Sequence, residues 1–523
     1  MAMSYIVHQK IRGKVYAYEA EGYWDSEKKQ ARQRRKYLGA VDEDGNIIPK
    51  TAEREVKVSK SYGHVHLLLQ LAEQEGLRSR LKDAFGEEAD LMLALAIVRL
   101  FDPSSMRNAP LALEETFLPE LLGLGALPSS QRLSELLASL GRREAEARDL
   151  FRSLARAEDA LAFDITSLSS YSRQLPFLEY GADYRETGLP QINLGLVVSL
   201  ERHLPIYYKA FPGSVTDTVT LKNLMAEARE LGVRKCMFVL DRGFYSLGNV
   251  EGMSALGADF IMPLPFGRGL AKELISASNQ LLDDPDKGHM LDKELYFVHE
   301  TKVEMAGRQL NAFLIMSEKR RAEERKTLFS RLEELEKEFS GRSWHPGVPA
   351  ELADWAKELS TCLEAVEQGG GVKVVRKRNA ISQMANRCGK TILLASKDMD
   401  WQKALSVYRQ RDEAEADFDQ LKNELQALPL RVAGFATLQG LLLILFLSLL
   451  LRGMLLNRAR KAGLLGKLWT EEMLRILSML KVTLIGQQWR VNEVTKKRRE
   501  LFEALGVKAP ETASPLVINK SGV

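Results

Sequence analysis

Cysteine is scarce: three in 523 residues, at Cys236, Cys362 and Cys388, with no CxxC pair. That excludes a disulfide framework and a paired-cysteine zinc site, and it fits a reducing compartment. Histidine is sparse too, at seven residues. His64 and His66 fall on opposite sides of a helix, which argues against a metal pair. Net charge is small, 74 basic against 70 acidic residues giving +4, so bulk charge does not announce a nucleic-acid partner. Long apolar runs are nearly absent. The exception, "VAGFATLQGLLLILFLSLLL" (432 to 451), is interrupted by Thr437, Gln439 and Ser448 and has no companion span. This favours a buried core helix over a membrane anchor. "MAMSYIVHQKIRGK" turns polar too soon for a signal peptide. "CGKT" (388 to 391) lacks the earlier glycine of a P-loop, since position 384 is Met, so no ATP site is expected.

The length allows two to four domains. Charge is concentrated locally: "KKQARQRRK" (28 to 36) holds six Lys or Arg in nine positions. Such a run is a solvated edge or a phosphate-binding strip. Residues 1–55 alternate and turn like a small β unit, with a DG turn signal. Residues 56–157 show helical periodicity, with Ser129 or Ser130 as an N-cap. Those helices suit a DNA-reading module or a plain bundle, and the pattern alone does not choose.

From 158 to 265 the period switches to strands. "ALAFDITSLSSYS", "INLGLVVSL" and "LPIYYKAFPG" are followed by a helix, then "KCMFVLDRGFYS", a second helix and "ADFIMPLP". Three hairpin-linked strands, helix, strand, helix, strand is the order of a ribonuclease-H-like core. Residues 266–400 break the pattern and are expected to form an inserted α+β subdomain. Within them "SRLEELEKEF" has helical spacing, suiting a solvated helix better than a self-association segment. The core resumes over 401–455, and 456–523 is expected to be C-terminal helices and a loose tail. The expected class is therefore α/β, with a β unit and a helical domain ahead of the core.

Two acids stand out. Asp164 lies inside an apolar strand and Asp241 ends "MFVLD". A buried carboxylate is costly unless paired or metal-bound. Taken singly, Asp164 could cap a turn and Asp241 could sit in a strand-end turn. In the expected topology their strands are neighbours, so both acids would share one edge of the sheet. On "YRQRDEAEADFDQLKNEL" (408 to 425), Tyr408, Arg411, Glu415 and Lys422 fall within about 60° of one helix face. Glu415 would then be a third acid. Three carboxylates without His or Cys are hard oxygen donors suited to Mg²⁺ or Mn²⁺. Two such ions about 4 Å apart suit in-line displacement at phosphate. Trp401, just before this stretch, reads better as packing than as base-stacking.

On these residues the chain resembles the insertion-sequence DDE transposases of the YREK-signature group, within the IS-four-like superfamily. "YRQRDEAEADFDQLK" is similar to the Y-x2-R-x3-E-x6-K signature at every spacing. "FDITSLSSYS" and "VLDRGFYS" resemble the two aspartate regions. "LPIYYKAFPGSVTDTVTL" resembles the segment after the first acid, with Ser214 where Asn is expected. The resemblance implies Asp164, Asp241 and Glu415 as catalytic ligands of two Mg²⁺ ions, with Mn²⁺ as a substitute. It implies Tyr408, Arg411 and Lys422 as DNA-phosphate contacts.

By the same resemblance the chain binds the terminal inverted repeats of its own element, cuts there, and joins the freed 3′-hydroxyls to target DNA. Double-stranded DNA is the implied partner, a homodimer the implied assembly on it, and the bacterial cytoplasm, at the nucleoid, the implied location. The N-terminal residues 1–157 are candidates for end recognition. A nuclease of the same fold that does not join ends, and a DNA-binding repressor that does not cut, are the rival functions.

Overall fold

The computed structural model describes residues 4–11, 14–26, 28–41, 45, 47–49, 56–102, 106–156, 160–172, 175–180, 188–215, 217–232, 237–277, 284–411, 432 and 434–512. Side chains are described for these except at 4, 48, 49, 56, 57, 164, 166 and 217–220. The fold is mixed α/β, in two compact units. One gathers Met1–Gln74, Asn108–Pro128 and Arg458–Val523, and the other Glu75–Arg107 and Ser129–Asn457.

In the first unit, β1 (Ser4–Ile11), β2 (Lys14–Asp25), β3 (Gln30–Val41) and β4 (Ile47–Pro49) form an antiparallel meander in sequence order. The DG signal before β4 is a turn residue in the structure, since Gly45 has φ 84°, the region that glycine enters without a Cβ clash. β5 (Val56–Ser61) leads into helix Gly63–Gln74. His66 on that helix meets the Tyr62 hydroxyl at 3.1 Å and the Lys508 carbonyl at 3.3 Å, and His64 is buried.

The second unit is built on a nine-stranded sheet. β6 (Ala160–Ser169), β7 (Gln191–Ser199) and β8 (Leu204–Pro212) are antiparallel neighbours. β9 (Met237–Val239) pairs parallel with β6, and β10 (Asp259–Pro263) parallel with β9. Helices Asp217–Glu230 and Leu247–Ala255 separate these strands in sequence. All nine positions of β7 are buried, which explains its continuous apolar run. A Cβ at Gly195 of β7 would sit 2.7 Å from Leu224, so glycine lets helix Asp217–Glu230 approach the sheet.

Residues 266–400 do not form a separate layer. β11 (Gly288–Leu291), β12 (Glu294–Met305) and β13 (Arg308–Ser317) extend the same sheet. After a hairpin of β14 (Leu363–Gln368) and β15 (Gly371–Arg376), β16 (Lys390–Ala395) returns between β10 and β13, antiparallel to both. The cause is the apolar "KTILLA" strand: five of its six residues are buried, and pairing on both edges satisfies its backbone. The true excursion lies between β13 and β16 and has its own core. Leu328, Leu332, Leu335 and Phe339 of helix Glu318–Phe339 pack there with Val348, Leu352, Cys362 and Cys388, so that helix is not solvated all round. In "CGKT", helix Arg378–Arg387 precedes the glycine and a strand follows, the reverse of the strand–loop–helix order that cradles phosphate.

Helix Phe435–Lys461 is the one helix among the described residues long and apolar enough to cross a membrane, and 89% of its most apolar window is buried. Polar contacts tie it to other helices and strands of the unit. The Ser448 hydroxyl donates to the Ala96 carbonyl at 2.9 Å, and the Tyr208 hydroxyl to the Gln439 carbonyl at 3.4 Å. A Cβ at Gly440 would lie 1.9 Å from the Leu137 carbonyl oxygen, and one at Gly141 would lie 1.8 Å from that of Ala436. Two glycines thus allow backbone contact between this helix and helix Ser130–Gly141.

Returning to the first unit, helices do not fill 456–505 as expected. β17 (Lys481–Ile485) and β18 (Gln488–Val491) form a hairpin, and β5 pairs with β17. Val482, Thr483 and Ile485 favour extended backbone, and Gly486 at φ 64° makes the turn.

Candidate active site

β6 enters the sheet through Leu161 and Phe163, both buried, and the Phe163 ring lies 5.1 Å from that of Phe238 on β9. Ala162 pairs with Val239 across the parallel ladder. Asp164 and Asp241 each come two residues later, so the backbone brings the two acids to one level where β9 ends. In parallel strands, residues at one level share a face. Asp164 is paired with Leu196 of β7, and its side chain lies outside the description.

Asp241 also shapes the strand end. Its Oδ2 accepts from the Gly243 N–H at 3.5 Å, capping the turn Arg242–Phe244. Its carboxylate is half-exposed and its Oδ1 lies 3.6 Å from Nη2 of Arg411. Arg411 is buried, donates from Nη1 to the Tyr408 hydroxyl at 3.4 Å, and stacks its guanidinium 5.6 Å from the Tyr408 ring centre. The structure therefore brings together Asp241, Tyr408 and Arg411, and the β6–β9 register carries the Asp164 backbone to the level of Asp241. Glu415 and Lys422 lie outside the described residues. Among the described residues no three His, Cys, Asp or Glu side chains converge to hold a metal.

The reverse side of the signature helix (residues 401–411) carries residues that sequence did not single out. Arg409 donates to the Tyr296 hydroxyl, stacks over that ring at 5.3 Å, and lies 3.7 Å from Asp292 and 3.9 Å from Glu294. Glu294 accepts from the Tyr296 hydroxyl at 2.6 Å and from Lys319 at 2.9 Å. The Tyr296 and Lys319 hydrogen bonds hold its carboxyl below the usual range. Trp401 is buried between His289, 5.5 Å away, and Tyr296, 6.0 Å away, so it packs as expected. β11 and β12 thus clamp the helix whose other side faces Asp241. Only the helical period, which turns Arg409 about 100° from Tyr408, hinted at a separate role.

Past Asp164, Ser167 of β6 donates to Asn193 at 3.0 Å, Gln191 donates to Ser167 at 2.9 Å, and Asn193 holds the Gly213 carbonyl at 3.2 Å. This buried network fixes the end of β8. Ser214, just beyond, donates to Glu179.

Residues 155–451 match the model of the transposase DDE domain family. No curated protein matches the chain. Among solved structures, a piggyBac transposase synaptic complex with hairpin DNA aligns with 75% of this chain and 69% of its own at 11% identity. Its TM-score of 0.34 makes the likeness too loose to carry an inference. The family match spans more than half of the 523 residues and includes both aspartates and the signature helix, so the chain belongs to the transposase DDE domain family.

Proposed function

We propose that this DDE transposase is of the YREK-signature group, with a ribonuclease-H-like core that cuts the terminal inverted repeats of its own element and transfers their 3′-hydroxyls to target DNA. The observation that carries the reading is the parallel register of β6 and β9, with Asp164 and Asp241 each two residues past the paired Ala162 and Val239, and with Arg411 and Tyr408 beside Asp241.

The donor set fits hard divalent cations. Asp164, Asp241 and Glu415 offer acceptor-only oxygens, and Asp241 is accessible enough to exchange one partner for another. These three residues would hold two Mg²⁺ ions, or Mn²⁺ in their place. Bound there, the ions supply Lewis-acid activation of the attacking oxygen and stabilisation of the leaving oxygen.

The chain's own residues do the rest. Arg411 balances the charge of Asp241 in the free protein and is placed to grip a phosphate when the carboxylate takes a metal instead. Tyr408 orients that guanidinium and offers its hydroxyl to DNA, and Lys422, outside the described residues, contributes a point charge. The clamp at Arg409 and Trp401 keeps the helix seated. Since two element ends must be joined, the active assembly is a homodimer on double-stranded DNA, with residues 1–157 recognising the ends.

The test is cleavage of a labelled duplex carrying the element's terminus in Mg²⁺, comparing wild type with Glu415→Gln. The expected result is cutting by wild type alone with end binding retained in both, followed by joining of pre-cleaved ends to a second duplex. Equal cutting by both proteins removes Glu415 from the metal site. Cutting without joining leaves a nuclease, and binding without cutting leaves a repressor.

A further inference from the structure

The cationic run of β3 divides into two unlike faces. Alternation on a strand sends successive side chains to opposite sides, and the register of β1, β2 and β3 says which go where. Glu21 stands between Ser4 and Arg34, Glu19 between Ile6 and Lys36, and Tyr23 faces Arg32. Asp25 shares that face and lies 3.4 Å from Arg32. The carboxylates in these three strands are Glu19, Glu21 and Asp25, so all of them lie on this one face, matched against Arg32, Arg34 and Lys36.

The opposite face has no carboxylate from these strands. It presents Tyr5, Ala20 and Arg35 in one row, Gly22 and Gln33 in the next, and Trp24 and Ala31 beyond. Trp24 is 66% exposed and Tyr5 47%, and Gln33 and Arg35 are exposed as well. A hydrogen-bond chain organises it: Gln33 donates through Nε2 to the Tyr5 hydroxyl and accepts at Oε1 from Nη2 of Arg35 at 3.2 Å. One of the five donors of Arg35 is used in this way. Among the described residues β1 pairs with β2 as far as Ser4 and Glu21, and the β2–β3 ribbon runs on through Gly22–Asp25 and Gln30–Gln33.

We propose that this acid-free face of the β2–β3 ribbon reads double-stranded DNA in the major groove, with Arg35 contacting a base edge and Gln33 and Tyr5 holding it in place. Two observations favour DNA over a protein partner. A face with a cation and no acid complements a polyanion, while the charge-matched face behind it does not. A guanidinium is also the group that reads a guanine edge with two bonds, and the Gln33–Tyr5 hydrogen-bond chain orients that of Arg35. Trp24 at the ribbon's end is placed against the sugar–phosphate wall. The proposal rests on the reading that this transposase binds its own element ends, and adds where it does so.

The test is fluorescence anisotropy of the full chain without divalent metal, on a duplex of the element's terminus and on a shuffled duplex of equal composition. Wild type is expected to prefer the terminus. Arg35→Ala should weaken binding to the terminus by roughly 5- to 150-fold, the range of one bidentate base contact, with little change on the shuffled duplex. Arg35→Lys should keep shuffled-duplex binding and lose the preference, which separates lost readout from misfolding. Arg34→Ala, on the other face, should keep the preference. If Arg35→Ala retains the preference, or loses self-association while retaining it, the ribbon does not read DNA. Failure of wild type to cut the terminus in Mg²⁺ while still preferring it would remove the transposase chemistry and leave the ribbon assignment to Arg35 alone.

Discussion

The β7 strand is buried at all nine positions, whereas the first seven of β3 are exposed. The same residue type carries different information in these two places. On the meander of the first unit Asp25 pairs with Arg32 at 3.4 Å, and Glu19 and Glu21 stand opposite Lys36 and Arg34 in register; an exposed pair of this kind contributes about 0–1 kcal/mol and needs no further explanation. On β6 Asp164 follows buried Leu161 and Phe163, and the β6–β9 register carries it to the level of Asp241. The buried strand residues ahead of it, more than the acid itself, single out Asp164 as a candidate.

The sharpest way to break this contrast is to neutralise acids in both regions. Asp241→Asn or Asp164→Asn should lower DNA cleavage on the order of a thousandfold, the equivalent of several kcal/mol of lost transition-state charge stabilisation. Glu21→Gln should leave cleavage within about twofold. Rates on an end duplex in Mg²⁺ decide it, and comparable losses at Glu21 would erase the distinction.

Next is the clamp behind the signature helix. Arg409→Ala should slow cleavage by about 10- to 100-fold, as expected when reacting groups are misplaced by around 1 Å. Arg409→Lys should recover part of the loss, and the melting temperature should move little. A drop in stability that accounts for the whole loss would reduce Arg409 to a packing residue.

Close packing within the second unit predicts a smaller, purely structural effect. Gly440→Ala places a methyl against the Leu137 carbonyl and should cost about 1–3 kcal/mol, read from the denaturant midpoint. Gly22→Ala on the exposed ribbon meets nothing within 4 Å and should cost well under that.

Burial also gives a pH signature. Desolvation lowers His64 from 6.5 to about 4. Between those values the unfolded chain binds a proton that the folded chain does not, so stability is lost as pH falls from about 6.5 toward 4. The contribution is on the order of 1–3 kcal/mol, and His64→Gln should flatten that part of the stability–pH curve.

What could be seen in the sequence was local. An acid in an apolar strand revealed Asp164 and Asp241, a helical period grouped Tyr408 with Arg411, and a serine before a periodic run marked Ser129, which caps its helix by accepting from the Arg132 N–H at 3.2 Å. What stayed hidden depends on distant pairing. No local pattern says that β16 returns between β10 and β13, or that β17 pairs with β5. The contact of Arg409 with Tyr296 spans 113 residues and leaves no trace in either segment. The run "KKQARQRRK" looked uniform because only the register shows which of its cations face acids.

The most direct measurement of the central claim is a metal-specificity switch at Asp241. Cysteine is a softer ligand than carboxylate and binds Mg²⁺ poorly while tolerating Mn²⁺. If Asp241 holds metal, Asp241→Cys should fail to cut the end duplex in Mg²⁺ and regain cutting in Mn²⁺, while wild type cuts in both. Cutting by Asp241→Cys in Mg²⁺ at the wild-type rate would contradict it.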